Sequence, residues 1–272
     1  MNESSWFVQG LVCLNLLLLG SLLVATRARG VAFVVGNQRQ RVIRYQRIIE
    51  LSHQIHPQIP QWPGDPPVVF EPVAELAKEG YYLRRFSIGE HSATHMNAPN
   101  SFYREGTGID AYSAESLVVP AIVIDIRNKT TTDSDYTLTQ ADVLAWEEQY
   151  GRLAPGSVVL LHTGWQTKWA DPHAFFNQDA EGGSHFPGFS GDTTRFLLAR
   201  GIAGVGIDTH GVDSGQDEAF STNKQVLAQS GIVLENLTQL DQLPAKGTTL
   251  VIGILRLQDG SGSPVSVLAF VP

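Results

Sequence analysis

From about residue 42 onward, short uninterrupted apolar runs alternate with amphipathic stretches, a pattern that predicts a mixed α/β domain. Ala121–Ile126 and Ser157–Leu161 are compact apolar runs, as expected of strands buried on both faces. Between them Thr139-Gln-Ala-Asp142 opens a helical segment to Tyr150, with Thr139 placed as its cap and Gly151 just past its end. Ser190–Arg200 repeats that design, stops at Gly201 and leads into the apolar run Ala203–Asp208. A helix capped by Ser221 or Thr222 is expected to reach Ser230, with a strand over Ile232–Leu237 after it. Thr248–Leu257 and Val265–Val271 flank Asp259-Gly-Ser-Gly, which predicts a closing hairpin. Upstream, Val42–Ile55 and Tyr81–Ile88 are rich in β-branched and aromatic residues. Pro57, Pro60, Pro63, Pro66 and Pro67 with Gly64 predict an extended, turn-rich connection between them. The fold class expected is α/β (mixed α+β), with an antiparallel share and a C-terminal hairpin.

One segment stands outside this alternation. Phe7–Ala25 is dominated by Leu, Val and Gly, broken only by Gln9, Cys13, Asn15 and Ser21. Its length approaches the roughly 20 residues a helix needs to cross a bilayer. Met1–Ser5 carry no Lys or Arg, whereas Arg27, Arg29, Arg39 and Arg41 follow. That asymmetry predicts a single-pass anchor with the rest of the chain cytoplasmic. The alternatives are export after signal cleavage, for which the site near Ala28 is poor, and a buried core helix. The expected organisation is an apolar leader or anchor plus basic linker over 1–41 and one domain over 42–272.

Composition narrows the partners. A net charge of -8 without a long basic run excludes nucleic acid as the main partner. Cys13 is the only cysteine, so any metal must be held by nitrogen and oxygen.

The candidate chemistry starts at His91-Ser-Ala-Thr-His95-Met-Asn97-Ala-Pro99. Two imidazoles four residues apart, with an oxygen-bearing side chain two further on, have a spacing that converges on one ion, although a polar loop explains the pair equally well. Glu235 is the most unusual carboxylate, an acid embedded in the apolar run Gly231-Ile-Val-Leu-Glu235-Asn-Leu. Glutamate is rarely buried unless paired or bound to a cation. Gly206-Ile-Asp208-Thr-His210-Gly-Val-Asp213 follows a buried strand, where ligand groups gather in α/β proteins. Turn capping is the commoner role for Asp208 and Asp213.

In this order the motifs resemble the cyclase-like metal-dependent hydrolase family, which includes bacterial kynurenine formamidases and isatin hydrolases. The matching pieces are Glu50-Leu-Ser-His53 with Pro63-Gly-Asp65-Pro, then His91–Pro99 at the family's HxGTHxDxPxH position. Thr163-Gly-Trp165, Phe186-Pro-Gly-Phe189, Gly206-Ile-Asp208-Thr, Leu234-Glu235-Asn-Leu and Leu240-Asp-Gln-Leu-Pro244 follow. The resemblance covers the chain from about Ile43 to its end. It implies a swivelling β/β/α domain, a homodimer or higher assembly, and hydrolysis of an amide, formamide or cyclic amide or lactone carbonyl by metal-activated hydroxide. N-formylkynurenine is the family-implied substrate.

The same resemblance exposes departures. His91 and His95 match, but Asn97 stands where the family has a metal-binding aspartate and Ser101 where it has a candidate shuttle histidine. Placing the family's metal-binding glutamate on Glu235 puts Asn223 at its later histidine, and Ala93 replaces a glycine. With one carboxylate left, a two-metal centre is not expected. One divalent ion, zinc or manganese, held by His91, His95 and Glu235 with Asn97 as a fourth ligand, remains the expectation. The proton donor is then His210, His185 or a water relayed past Ser101. The competing expectation is a non-catalytic relative that binds a small molecule or serves as a scaffold.

Overall fold

The structure is a computed structural model that describes residues 42–272. Its main sheet has eight strands in the order Arg47–Glu50, Gly262–Val271, Lys246–Ile254, Val118–Asp125, Val158–His162, Gly204–Ile207, Ile232–Glu235 and His95–Asn97. The four strands from Val118–Asp125 to Ile232–Glu235 run parallel, and the remaining pairings are antiparallel. The short strand His95–Asn97 also pairs with the start of Gly262–Val271, which closes the sheet on itself. A separate two-stranded ribbon, Val69–Ala74 with Leu83–Ser87, leaves Val73, Tyr82 and Phe86 exposed.

Side-chain alternation explains why the parallel strands are continuously apolar. Ala121, Val123, Val158, Leu160 and Leu234 point to one buried cluster, while Ile122, Ile124, Val159, Leu161 and Val233 point to another. The second cluster receives Val143 and Trp146 from the helix Gln140–Tyr150 and Leu197 from the helix Gly191–Leu198. Both helices begin as expected. Thr139 and Asp142 form a reciprocal capping box, and Ser190 accepts from the Thr193 amide. The closing hairpin forms, with Ile254 opposite Val265.

Two expectations change. The helix after residue 220 spans only Ser221–Leu227, and neither Ser221 nor Thr222 caps it. Phe220 occupies the N-cap position in a left-handed conformation, and Asp213 accepts from the amides of Thr222 and Asn223. The membrane-anchored location is also corrected. No helix among the described residues is long and apolar enough to cross a membrane, and Phe7–Ala25 lies outside them, so the fold offers that placement no support.

Candidate active site

The strand His95–Asn97 is the hub. His95 lies directly opposite Glu235 on one side and Pro264 on the other, while Asn97 lies opposite Val233 and Gly262. Cross-strand neighbours approach closely, so pairing brings an imidazole and a carboxylate 140 positions apart into contact. His95 Nε2 stands 3.0 Å from Glu235 Oε2, with both side chains almost wholly buried. All seven predicted site residues, His91, His95, Asn97, Ser101, His210, Asn223 and Glu235, line one cavity of about 550 Å³. A second cavity, about 450 Å³ at the ends of Val118–Asp125 and Val158–His162, contains none of them.

Hydrogen bonds behind the site decide what faces forward. His95 Nδ1–H donates to the Ala93 carbonyl at 2.9 Å, and Ala93 holds a left-handed φ of 55° to present it. His95 therefore turns Nε2 toward Glu235. Two acceptors 3.0 Å apart repel unless a proton or a cation sits with them. Glu235 is otherwise gripped by N–H donors. Its Oε1 accepts from Val212 N at 2.9 Å and Asn223 Nδ2 at 3.0 Å, and its Oε2 from Asn97 Nδ2 at 3.1 Å. Burial pushes the Glu235 carboxyl up, but the hydrogen bond and charge of His95, the Val212 amide and Asn223 together bring it down to about 2.

His91 completes the cluster at a distance. Its ring is edge-on to His95 with centroids 5.4 Å apart, Nδ1 lies 2.9 Å from Asn97 Oδ1, and Nε2 lies 2.9 Å from Ser261 Oγ. Burial, followed by the charge of His95, lowers its pKa. Among the described residues no group of three His, Cys, Asp or Glu side chains is placed to hold a metal ion. The donor set is the His95–Glu235 pair with His91 and Asn97 flanking, nitrogen and oxygen groups of the kind one zinc or manganese ion takes. It lacks the carboxylate a second ion requires.

The remaining predicted residues take other parts. Asn223 is a strut: Nδ2 donates to Asp213 at 3.0 Å and to Glu235, and Oδ1 accepts from Asn97 at 2.9 Å. The Ser101 hydroxyl donates to the Ala98 carbonyl within its own turn. His210 lies over Trp62 with ring planes 9° apart and has a buried Nδ1 with no hydrogen-bond partner. Burial, then the charge of His95, lowers its pKa to about 3, so its ring is neutral. His185 does not line the cavity. It is clasped between Asp135 at 2.8 Å and Asp179 at 3.2 Å, which removes it as a donor.

Sequence reasoning gives Trp62 no role of its own and reads Asp213 as a turn cap; burial raises the Asp213 pKa to about 6, and the charge of Glu235 adds to it. It also missed Ser261 with Glu90, for which no motif spacing gives a signal.

The putative cyclase family model matches residues 49–214. Isatin hydrolase of Roseibium aggregatum is 33% identical over 218 residues, covering 76% of this chain and 82% of the relative. Kynurenine formamidase of Bacillus thuringiensis is 26% identical, covering 80% of this chain and 94% of the relative. The structure of isatin hydrolase A from Labrenzia aggregata bound to benzyl benzoate superposes with a TM-score of 0.78 at 30% identity, over 83% of this chain and 93% of that one. Agreement of sequence and fold over that length leaves one assignment: the chain belongs to the cyclase family.

Proposed function

We propose that this protein hydrolyses a small amide, formamide, cyclic amide or lactone in the cavity around His95 and Glu235, using one divalent ion, zinc or manganese. The observation that carries the reading is the 3.0 Å contact between His95 Nε2 and Glu235 Oε2 at the cavity, which a proton or a cation satisfies. His91, His95 and Glu235 would hold that ion, with Asn97 Oδ1 as a neutral fourth donor. When bound, it supplies Lewis acidity to the scissile carbonyl and to the attacking water.

The chain's own residues do the rest. Asn97, Asn223 and the Val212 amide fix both oxygens of Glu235, so the carboxylate does not reorient during turnover. Trp62, Phe102, Phe186 and Phe220 supply apolar walls that bind a planar substrate and exclude water from the reacting carbonyl. His210, kept neutral by burial, offers an N–H hydrogen-bond donor at the cavity wall that steadies the leaving group, while the proton the leaving group takes comes from the attacking water. Ser101 is not that donor, because its hydrogen is committed to Ala98. The names of the relatives support isatin-like and N-formylkynurenine-like substrates.

A specific observation favours a second reading, a non-catalytic small-molecule binder. Asn97 and Asn223 place amide groups where the family pattern has Asp and His, and they satisfy Glu235 without an ion. One experiment separates the two. Purified full-length protein is loaded with zinc or manganese, assayed for metal content, and offered isatin and N-formylkynurenine. Stoichiometric metal that His95→Ala abolishes, with turnover of either substrate, supports the hydrolase. A folded protein that retains no metal and turns over neither supports the binder.

The exposed ribbon supports a homo-oligomer. Val73 is 59% exposed, Tyr82 63% and Phe86 60%, an apolar face that a second copy of the chain would cover.

A further inference from the structure

Of the two cavities described above, one balances its acids with cations and the other does not. In the cavity of about 450 Å³, Asp125 pairs with Arg127 and Asp142 with Lys129. The cavity of about 550 Å³ around His95 and Glu235 is lined by five acids, Asp65, Asp213, Asp217, Glu218 and Glu235. Among the described residues no Lys or Arg lines it. Lys224 comes near, 5.8 Å from the Phe102 ring centroid, but stays outside the lining.

These acids are held differently, and the difference decides which of them a ligand meets. Asp213 and Glu235 are buried. Asp213 accepts from the amides of Thr222 and Asn223, and Glu235 from Val212 N, Asn97 and Asn223. Asp217 braces its own turn by accepting from the amides of Ala219 and Ser221. Asp65 is half-buried and Glu218 exposed, and among the described residues neither side chain makes a hydrogen bond or an ion pair. Lining the cavity while reaching solvent, these two stand at its rim with their charge unspent. The walls behind them include Trp62, Phe102, Phe186 and Phe220. Apolar walls carrying charge of one sign focus its field on whatever enters, changing association rates by roughly 10–10³-fold. One divalent ion at the centre would offset two of the negative charges and leave the rim acids facing the ligand.

We propose that these acids make the cavity selective by charge, admitting planar carbonyl compounds that are neutral or cationic and disfavouring those that carry an anionic group. The selection rests on the reading of this cavity as the substrate site. It also bears on release. Water added across an amide or ester bond leaves an amine or alcohol and a carboxylic acid, which ionises at neutral pH. The product thus takes the sign of the wall around it.

The test offers full-length protein, as purified and after zinc loading, two pairs of compounds. Isatin-5-sulfonamide and isatin-5-sulfonate match in size and differ in charge. N-formylkynuramine and N-formylkynurenine differ by one carboxylate. Dissociation constants are measured by calorimetry, and kcat/KM replaces them wherever a compound is turned over. At about 0.02 M salt the anionic member of each pair is expected to be weaker by at least about tenfold, and at about 0.5 M the gap should shrink. Asp65→Asn combined with Glu218→Gln removes charge without removing a hydrogen bond. It is expected to narrow the gap at low salt and to leave the melting temperature and the binding of isatin-5-sulfonamide unchanged. Equal affinity within each pair, tighter binding of the anions, or a gap indifferent to salt and to the double variant overturns the proposal. Binding of none of the four compounds overturns it as well. The expected order without turnover by zinc-loaded protein removes the hydrolase reading and leaves the selection standing; turnover without that order does the reverse.

Discussion

Two buried carboxylates sit just beyond neighbouring parallel strands, and their surroundings send them in opposite directions. Asp208 follows Gly204–Ile207 and is met by the amide and hydroxyl of Thr163, at 2.9 and 2.7 Å. Burial dominates, and its pKa is raised despite the charge of nearby His162. Glu235 ends Ile232–Glu235 with three N–H donors and an imidazole in direct contact, and its pKa falls to about 2. Donors drawn from one neighbouring loop make Asp208 an anchor for the Thr163–Gln166 turn. An imidazole nitrogen facing Glu235 beside an open cavity gives that acid the surroundings the proposed cation needs. Burial of an acid is therefore not the mark of the site; an imidazole in front of it is.

The largest expected effect breaks this comparison directly. Glu235→Ala leaves His95 buried without its partner and is expected to cost about 3–5 kcal/mol of stability by denaturant titration. It should also abolish metal uptake. Asp208→Ala leaves the Thr163 donors unpaired, with an expected cost of about 1–3 kcal/mol, and zinc affinity is expected to stay at the wild-type value. Equal metal loss in both variants would erase the distinction.

Restoring the missing charge sharpens it. Asn97→Asp adds a carboxylate beside His91 and Glu235 and is expected to tighten zinc binding by at least about tenfold, a difference of about 1.4 kcal/mol in competition titrations. Without metal, the same substitution sets two carboxylates side by side and should lower the melting temperature.

Acidification probes the histidines. Folding lowers the pKa of His210 from 6.5 to about 3 and of His53 from 6.5 to about 4, in both cases mainly through burial. Below pH 6.5 the unfolded chain takes up protons that the folded chain refuses, so stability from these groups is full above pH 6.5 and falls toward pH 4 and 3. Each proton difference costs about 1.4 kcal/mol per pH unit. His210→Gln is expected to flatten part of that slope in urea titrations at stepped pH. Glu235 adds a loss only further down, between pH 4.5 and about 2.

The smallest effect on chemistry is expected at the ribbon. Phe86→Lys places a charge on the exposed apolar face and should convert an oligomer to monomer in light scattering, with metal content unchanged. A wild-type protein that is already monomeric would refute the oligomer.

Much of the scaffold was legible because periodicity is local. Ala121–Ile126 and Ser157–Leu161 announced strands buried on both faces, and Thr139 announced its helix. Glu235 stood out for the same reason, as one charge in an apolar run. What stayed hidden depends on pairing between distant segments. A three-residue strand, His95–Asn97, carries no periodic signal, yet its register puts His95 opposite Glu235. Asp213 caps a helix that begins eight positions later, beyond the reach of any local capping rule. Ser261 looked like a turn residue and is one; only the closure of the sheet sets it behind His91.

That closure also sets an order of events. His95–Asn97 is clamped on one flank by the opening residues of the C-terminal strand Gly262–Val271. On the ribosome, the imidazoles emerge long before the segment that completes their seat. A nascent chain thus exposes His91 and His95 without the hydroxyl behind one of them. Assembly of the site waits until that strand has been made.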